Sequence, residues 1–154
     1  LQTIARDEEI EIDALIEEVL ADLEPLAQEK DIRLTGKCDK VILIGSDILI
    51  YRLVYNLVEN AIKYNISGGT VTVTATQRDK HIYLAVEDTG NGIPEELKER
   101  IFEPFFRLDK SRSRALGGVG LGLALVHEIV RVHDGSIFVK DNANSGTTFE
   151  VIFS

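Results

Sequence analysis

Residues 70–77 and again 81–87 alternate β-branched and apolar side chains with polar ones, and only Arg78-Asp79-Lys80 separates the two runs. A period of two marks a half-buried strand, and two such runs around a short polar turn make a β-hairpin. A hairpin with one apolar face has to lay that face on something. The sequence supplies the cover on both sides. Leu15, Ile16, Val19, Leu20, Leu23 and Leu26 form one stripe of a helix that Asp13 can cap and that runs to about Lys30. A second helix starts at Ser46 or Asp47, either a good N-cap, and runs to about Tyr64, with Gly68-Gly69 breaking it. A third runs from about Gly120 to Val132 and ends at Asp134-Gly135.

The remaining strands are shorter. Residues 9–13 alternate Ile10 and Ile12 with acids, and residues 32–35 and 41–44 read as short strands around a turn at 36–39. Pro94 opens a short helix to about Phe102, with Glu95 and Glu96 at its positive end. Residues 103–119 lack periodicity and carry glycine and charge, the pattern of a mobile loop. Residues 136–140 and 147–153 close the chain as two strands turning through 142–146. The expected fold is an α/β (α+β) two-layer sandwich, a mixed β-sheet covered on one face by about three helices.

At 154 residues and 44% hydrophobic, the chain is one globular domain with a real core. Cys38 is the only cysteine, which rules out an internal disulfide and suits a reducing compartment. No apolar run approaches the roughly 18 residues of a membrane span, and the polar, acidic start is no signal peptide. With no Met anywhere, the chain reads as a piece of something longer.

Four motifs carry the chemistry, and they occur in a fixed order. On the second helix, Asn56, Asn60, Lys63 and Tyr64 fall within an arc of about 100°, apart from the apolar arc of Val54, Leu57, Val58, Ala61 and Ile62. Carboxamide oxygens are hard, neutral ligands for a Mg²⁺ that bridges phosphates, and a lysine supplies a point charge; the same asparagines would also serve as plain surface polar residues. Asp88-Thr-Gly90-Asn-Gly92 follows a strand directly. Its carboxylate can accept from the exocyclic amine of adenine, and its glycines permit positive φ beside a flat ring; an Asp-capped tight turn has the same letters. Phe102-Glu-Pro-Phe105-Phe106-Arg107 comes third, and Gly118-Val-Gly120-Leu-Gly122 runs into the third helix. A glycine-rich helix start is a seat for phosphate. No strand precedes it closely and no Gly-Lys-Ser/Thr follows, so neither a Rossmann turn nor a Walker A loop fits.

The net charge of −9 argues against non-specific nucleic-acid binding. Arg107, Lys110, Arg112 and Arg114 concentrate positive charge within eight residues, opposed only by Asp109. That cluster is either a solvated loop or a phosphate contact.

Taken together, the motifs resemble those of the catalytic, ATP-binding domain of bacterial sensor histidine kinases, within the Bergerat-fold superfamily shared with gyrase-type, chaperone-type and mismatch-repair ATPases. Residues 56–65 are similar to its N box, 88–94 to its first glycine box, 102–107 to its phenylalanine box and 118–123 to its second glycine box; Gly146-Thr147-Thr148-Phe149 resembles the small glycine motif on the last strands. The resemblance implies that Asn60, assisted by Asn56, holds Mg²⁺, that Lys63 contacts phosphate and that Tyr64 lies by the sugar or base. Asp88 would read the adenine amine in a pocket shaped by Gly90, Gly92 and Ile93, and Thr147 would contact the nucleotide from its strand. Arg107 would approach the terminal phosphate. Phe105 and Phe106 would anchor a lid whose hinge is Gly118, Gly120, Leu121, Gly122 and Leu123. Residues 1–7 would be the tail of a linker from a preceding phosphoacceptor domain, and 8–154 the catalytic domain.

The implied reaction is transfer of the γ-phosphoryl group of ATP, with Asn56, Lys63 and Arg107 as the catalytic set. Such transfer needs positioning and charge neutralisation more than covalent help. In the superfamily's ATPases a Glu four residues before the metal Asn activates water; here Asn56 holds that position, and an amide is no base. Glu59 points about 100° away from Asn60. The resemblance therefore implies a histidine-bearing dimerisation domain of the same parent as acceptor and a response regulator receiver domain downstream. It implies no nucleic acid, no membrane insertion by this chain, and a cytoplasmic location. His81 in the hairpin, His127 beside Glu128 and His133 at a helix end are not recognisable acceptors. Two other classes share parts of the pattern: a stand-alone serine kinase of the anti-sigma type, and a nucleotide-binding module without catalysis.

Overall fold

The computed structural model describes residues 8–98, 100–103, 122–142 and 145–154. Its main sheet has five strands in the order β2-β4-β5-β7-β6, formed by β2 (Arg33–Cys38), β4 (Thr70–Arg78), β5 (His81–Asp88), β6 (Ser136–Asp141) and β7 (Thr147–Phe153). The β2–β4 pair is parallel and the other three pairs are antiparallel, which makes the sheet mixed as expected. β1 (Glu8–Glu11) and β3 (Ile42–Gly45) form a separate antiparallel pair.

The hairpin is where the alternation puts it. Val71, Val73 and Ala75 on β4 and Ile82, Leu84 and Val86 on β5 are buried, and their neighbours in sequence face the other way, half-exposed or exposed. Three helices cover that apolar face: α1 (Ile12–Glu29), α2 (Asp47–Lys63) and α3 (Gly122–Val132). α2 is the central one, packing against both α1 and α3 as well as β4 and β5. Its Ile50, Leu53, Val54, Leu57, Val58, Ala61 and Ile62 are all buried, a stripe wide enough to serve sheet and neighbours at once.

Several local expectations change. Asp13 does not cap α1: the helix starts one residue earlier, and Glu11 occupies the cap position without a side-chain bond. The first helical N–H, that of Ile12, donates instead to the Val41 carbonyl at 2.9 Å, so a tertiary contact replaces the cap and leaves Asp13 in the first turn. The turn expected at 36–39 lies mostly within β2, which continues to Cys38. Gly36 is there for space, since a Cβ would sit 3.1 Å from Leu20 of α1. β3 pairs with β1 and not with the strand before it. α2 ends at Lys63, ahead of Gly68-Gly69. The helix expected after Pro94 is two 3₁₀ turns, Glu95–Leu97 and Arg100–Phe102. α2 itself begins at Asp47, and the Ser46 hydroxyl accepts from the Leu49 N–H, the cap read from the sequence.

Candidate functional site

The second helix delivers its polar row to one end of the hairpin. Asn56, Asn60 and Tyr64 follow each other at four-residue spacing, half-buried, on the flank of α2 beside its core stripe. Asn60 Nδ2 donates to the Asn56 carbonyl at 2.8 Å. This bond fixes the carboxamide and leaves Oδ1 without a donor among the described residues, yet not as a buried unsatisfied atom. Lys63 lies 3.8 Å from Glu59 one turn back, a half-exposed ion pair of small energetic weight that holds the ammonium near the row.

The row ends against the Asp88 loop. A Cβ at Gly90 would sit 2.7 Å from the Tyr64 carbonyl and 3.2 Å from Asn65 Cα, so only glycine lets the loop lie on the end of α2. Gly92 has φ +82°, the positive value its motif anticipates. Asp88 Oδ1 accepts from the Gly90 N–H at 2.8 Å and from the Thr147 N–H at 3.2 Å. Among the described residues Oδ2 takes no hydrogen bond, and it is not a buried unsatisfied atom. Burial pushes this carboxyl above its ordinary range, and the two amide donors pull it partly back. A half-buried carboxylate with one oxygen locked and one free is an oriented acceptor for a single donor such as an aromatic amine.

Thr147, 2% exposed, links the last strand to this loop. Ile93 and Leu123 are half-buried and pack on the core from either side. Phe102, the first residue of the phenylalanine box, stands edge-on to Phe149 at 6.3 Å and 5.5 Å from the His127 ring. Glu128, the acid beside His127, is engaged by Arg131 at 2.6 Å. The expectations for Phe105, Phe106, Arg107, Lys110, Arg112, Arg114, Gly118, Gly120 and Leu121 lie outside the described residues, as do those for residues 1–7.

Four residues of this region were not singled out in the sequence. Asn65, 7% exposed, donates to the Thr70 carbonyl at 3.0 Å and accepts from the Ile66 N–H at 2.8 Å and from the Thr89 hydroxyl at 3.2 Å. It stops α2 and ties the helix end to the start of β4 and to the Asp88 loop. Asn142 and Ser145 reach the same loop from the β6–β7 turn. The one available signal for Asn65 and Thr89 was their place inside the boxes.

Among the described residues no group of three His, Cys, Asp or Glu side chains gathers to hold a metal. The candidate hard-cation ligands here are the open carboxamides of Asn60 and Asn56, which fit an ion that also takes phosphate and water oxygens. An open groove of about 930 Å³ is lined by residues of β1, β3 and all three helices, among them Glu11, Glu18, Ile48, Tyr51, Tyr55 and Asn56.

The comparisons with known proteins agree with this geometry. Residues 45–154 match the family model described as Histidine kinase-, DNA gyrase B-, and HSP90-like ATPase. The chain is 39% identical over 142 residues to the sensor-like histidine kinase SenX3 of Mycobacterium tuberculosis, covering 92% of this chain and 35% of that protein. Against the signal transduction histidine-protein kinase ArlS of Staphylococcus aureus it is 44% identical over 96 residues, 62% of this chain and 21% of the other. It thus spans about a third or less of these relatives. Among solved structures, the mycobacterial sensor histidine kinase MprB superposes with a TM-score of 0.85 at 31% identity, covering 95% of this chain and 97% of that one. The catalytic domain of histidine kinase ThkA does so with a TM-score of 0.84 at 29% identity, covering 95% and 93%. The oriented carboxylate, the asparagine row and these likenesses place the chain in the histidine kinase-, DNA gyrase B- and HSP90-like ATPase family, among the catalytic, ATP-binding domains of sensor histidine kinases.

Proposed function

We propose that this domain binds ATP with Mg²⁺ and presents the γ-phosphoryl group to a histidine on a separate dimerisation domain of the same parent, acting in the cytoplasm upstream of a response regulator. The observation that carries the nucleotide reading is Asp88, whose Oδ1 is tied to two backbone amides while Oδ2 stays open. Oδ2 accepts from the adenine amine, and Gly90 and Gly92 let the backbone approach the ring. Tyr64 and Ile93 flank the base and ribose, and Thr147 holds the carboxylate from below. Up the helix, Asn60 Oδ1, assisted by Asn56, would hold the cation, which would supply neutralisation of the phosphate charge. Lys63 and Arg107 meet phosphate oxygens as the γ-phosphoryl leaves ADP for the acceptor nitrogen, and Gly118, Gly120, Leu121 and Gly122 close over the phosphates, with Leu123 packed on the core behind them.

Asn56 in place of a carboxylate favours transfer to a protein over hydrolysis, because an amide cannot take a proton from water. The groove that Asn56 lines supports the acceptor domain as its occupant. Its described lining residues mix the exposed Ile48 with Glu9, Glu11, Glu18 and Asp47 against Arg52, a complement to a helix of apolar and basic residues. The response regulator reading draws on ThkA, whose structure has been solved in complex with response regulator protein TrrA and superposes on this chain with a TM-score of 0.79 at 28% identity.

Calorimetry with ATP and GTP, each with and without Mg²⁺, tests the reading. ATP is expected to bind, more tightly with Mg²⁺ and in preference to GTP. No heat with ATP at millimolar concentration would overturn it.

A further inference from the structure

Two described residues between β6 and β7, Asn142 and Ser145, lie against the Asp88 loop, and their contacts run from side chain to loop backbone. Asn142 Nδ2 donates to the Asp88 carbonyl at 2.6 Å, and Ser145 Oγ donates to the Gly90 carbonyl at 2.6 Å. Asn142 is itself oriented, because its Oδ1 accepts from the Thr148 hydroxyl and its backbone N–H donates to the Gly146 carbonyl at 3.1 Å. Gly146, at φ +102°, approaches so closely that a Cβ there would collide with the Asp88 carbonyl. A further tie lies beyond the loop: Lys98 Nζ donates to the Ile93 carbonyl at 3.2 Å and pairs with Asp141 at 3.0 Å.

The hairpin does not need these bonds. Its ladder already pairs Asp141 with Thr147, and the Asn142 donor is spent on a carbonyl 54 residues earlier in the chain. What the bond does is hold the peptide from which the Asp88 side chain projects. With that carbonyl pinned, Oδ1 stays on the Gly90 and Thr147 amides and Oδ2 stays in one direction.

We propose that Asn142 is a positioning residue for adenine recognition, acting through the Asp88 carbonyl, with Ser145 supporting it through Gly90. The proposal rests on the adenine reading of Asp88 and deepens it. The selectivity of the site then depends on two side chains, Asn142 and Ser145, that stand just ahead of the 146–149 glycine motif.

Asn142→Asp is the discriminating variant. It keeps the shape and the acceptor facing Thr148, removes the N–H donor, and sets an oxygen against the Asp88 carbonyl. ATP affinity is expected to fall about tenfold, the equivalent of one hydrogen bond, with a matching drop in the ATP-over-GTP ratio. Hydrogen exchange at the Gly90 and Thr147 amides should quicken, and Asn142→Ala should behave alike. An unchanged ATP-over-GTP ratio in both variants would overturn the proposal, and so would equal losses for the two nucleotides, the signature of general loosening. Asp88→Asn run alongside separates the two layers. If it loses the ATP preference while Asn142→Asp keeps it, the positioning role alone fails. If Asp88→Asn keeps the preference, the adenine reading fails and takes the proposal with it.

Discussion

Asp88 shows what a binding role costs a single side chain. Burial raises its pKa above the ordinary 3.8, so the folded protein binds that proton more readily than the unfolded chain. A group shifted this way contributes stability below pH 3.8 and loses it as pH rises through the raised folded value. At neutral pH the ionised carboxylate therefore weakens the nucleotide-free domain. Asp88→Asn is expected to raise its Tm by a few degrees at pH 7, with the gain shrinking as pH falls toward 4, while ATP selectivity is lost. Thermal melts at several pH values check this, and a gain that persists undiminished in acid would contradict the desolvation account. Asp88, Gly90 and Asn60 could be named from the sequence because each sits in a spaced motif with a chemical reason for its type. Asn65 and Asn142 could not. Asparagines in turns are common, and the Asn142 partner lies 54 residues away.

Among the elements, the joint between α3 and α2 depends on one buried ring. His133, 6% exposed, accepts at Nε2 from the Ser46 N–H at 3.1 Å, while its Nδ1 lies 2.8 Å from the Ile129 carbonyl. The end of α3 thereby satisfies the N-cap residue of the helix that carries Asn56 and Asn60. Gly45 leaves room for it, since a Cβ there would come within 2.8 Å of the ring. Gly45→Ala should displace His133 and destabilise the fold by about 1–3 kcal/mol, read from urea unfolding; a cost under about 0.5 kcal/mol would show that the ring shifts without penalty. The hairpin and α2 were legible because their patterns are local and strongly periodic. The partners of β2 and β3 were not, because β2 pairs in parallel with a strand more than thirty residues on and β3 pairs back across α1 to β1. Nothing in a short strand's own letters states its partner.

The molecule as a whole offers two candidate faces, the Asp88 loop at the hairpin end and the groove lined by Ile48 and Asn56. They meet at Asn56, which belongs to the polar row and also lines the groove. Ile48 sits in the groove wall, 72% exposed. Ile48→Asp should change stability by no more than about 0.5 kcal/mol and leave ATP affinity unaltered. Transfer to a separately prepared histidine-bearing helical domain should fall at least severalfold, most visibly in the dependence on that domain's concentration. Transfer at wild-type rates would remove the groove from the acceptor's path. No described helix is long and apolar enough to cross a membrane.

β7 lies between β5 and β6 in the sheet, and its first residue supplies an amide to Asp88. The carboxylate of a loop that follows β5 thus has both its anchors only once a strand nearly sixty residues on has joined the sheet, so local order in that loop is inherited from long-range strand pairing.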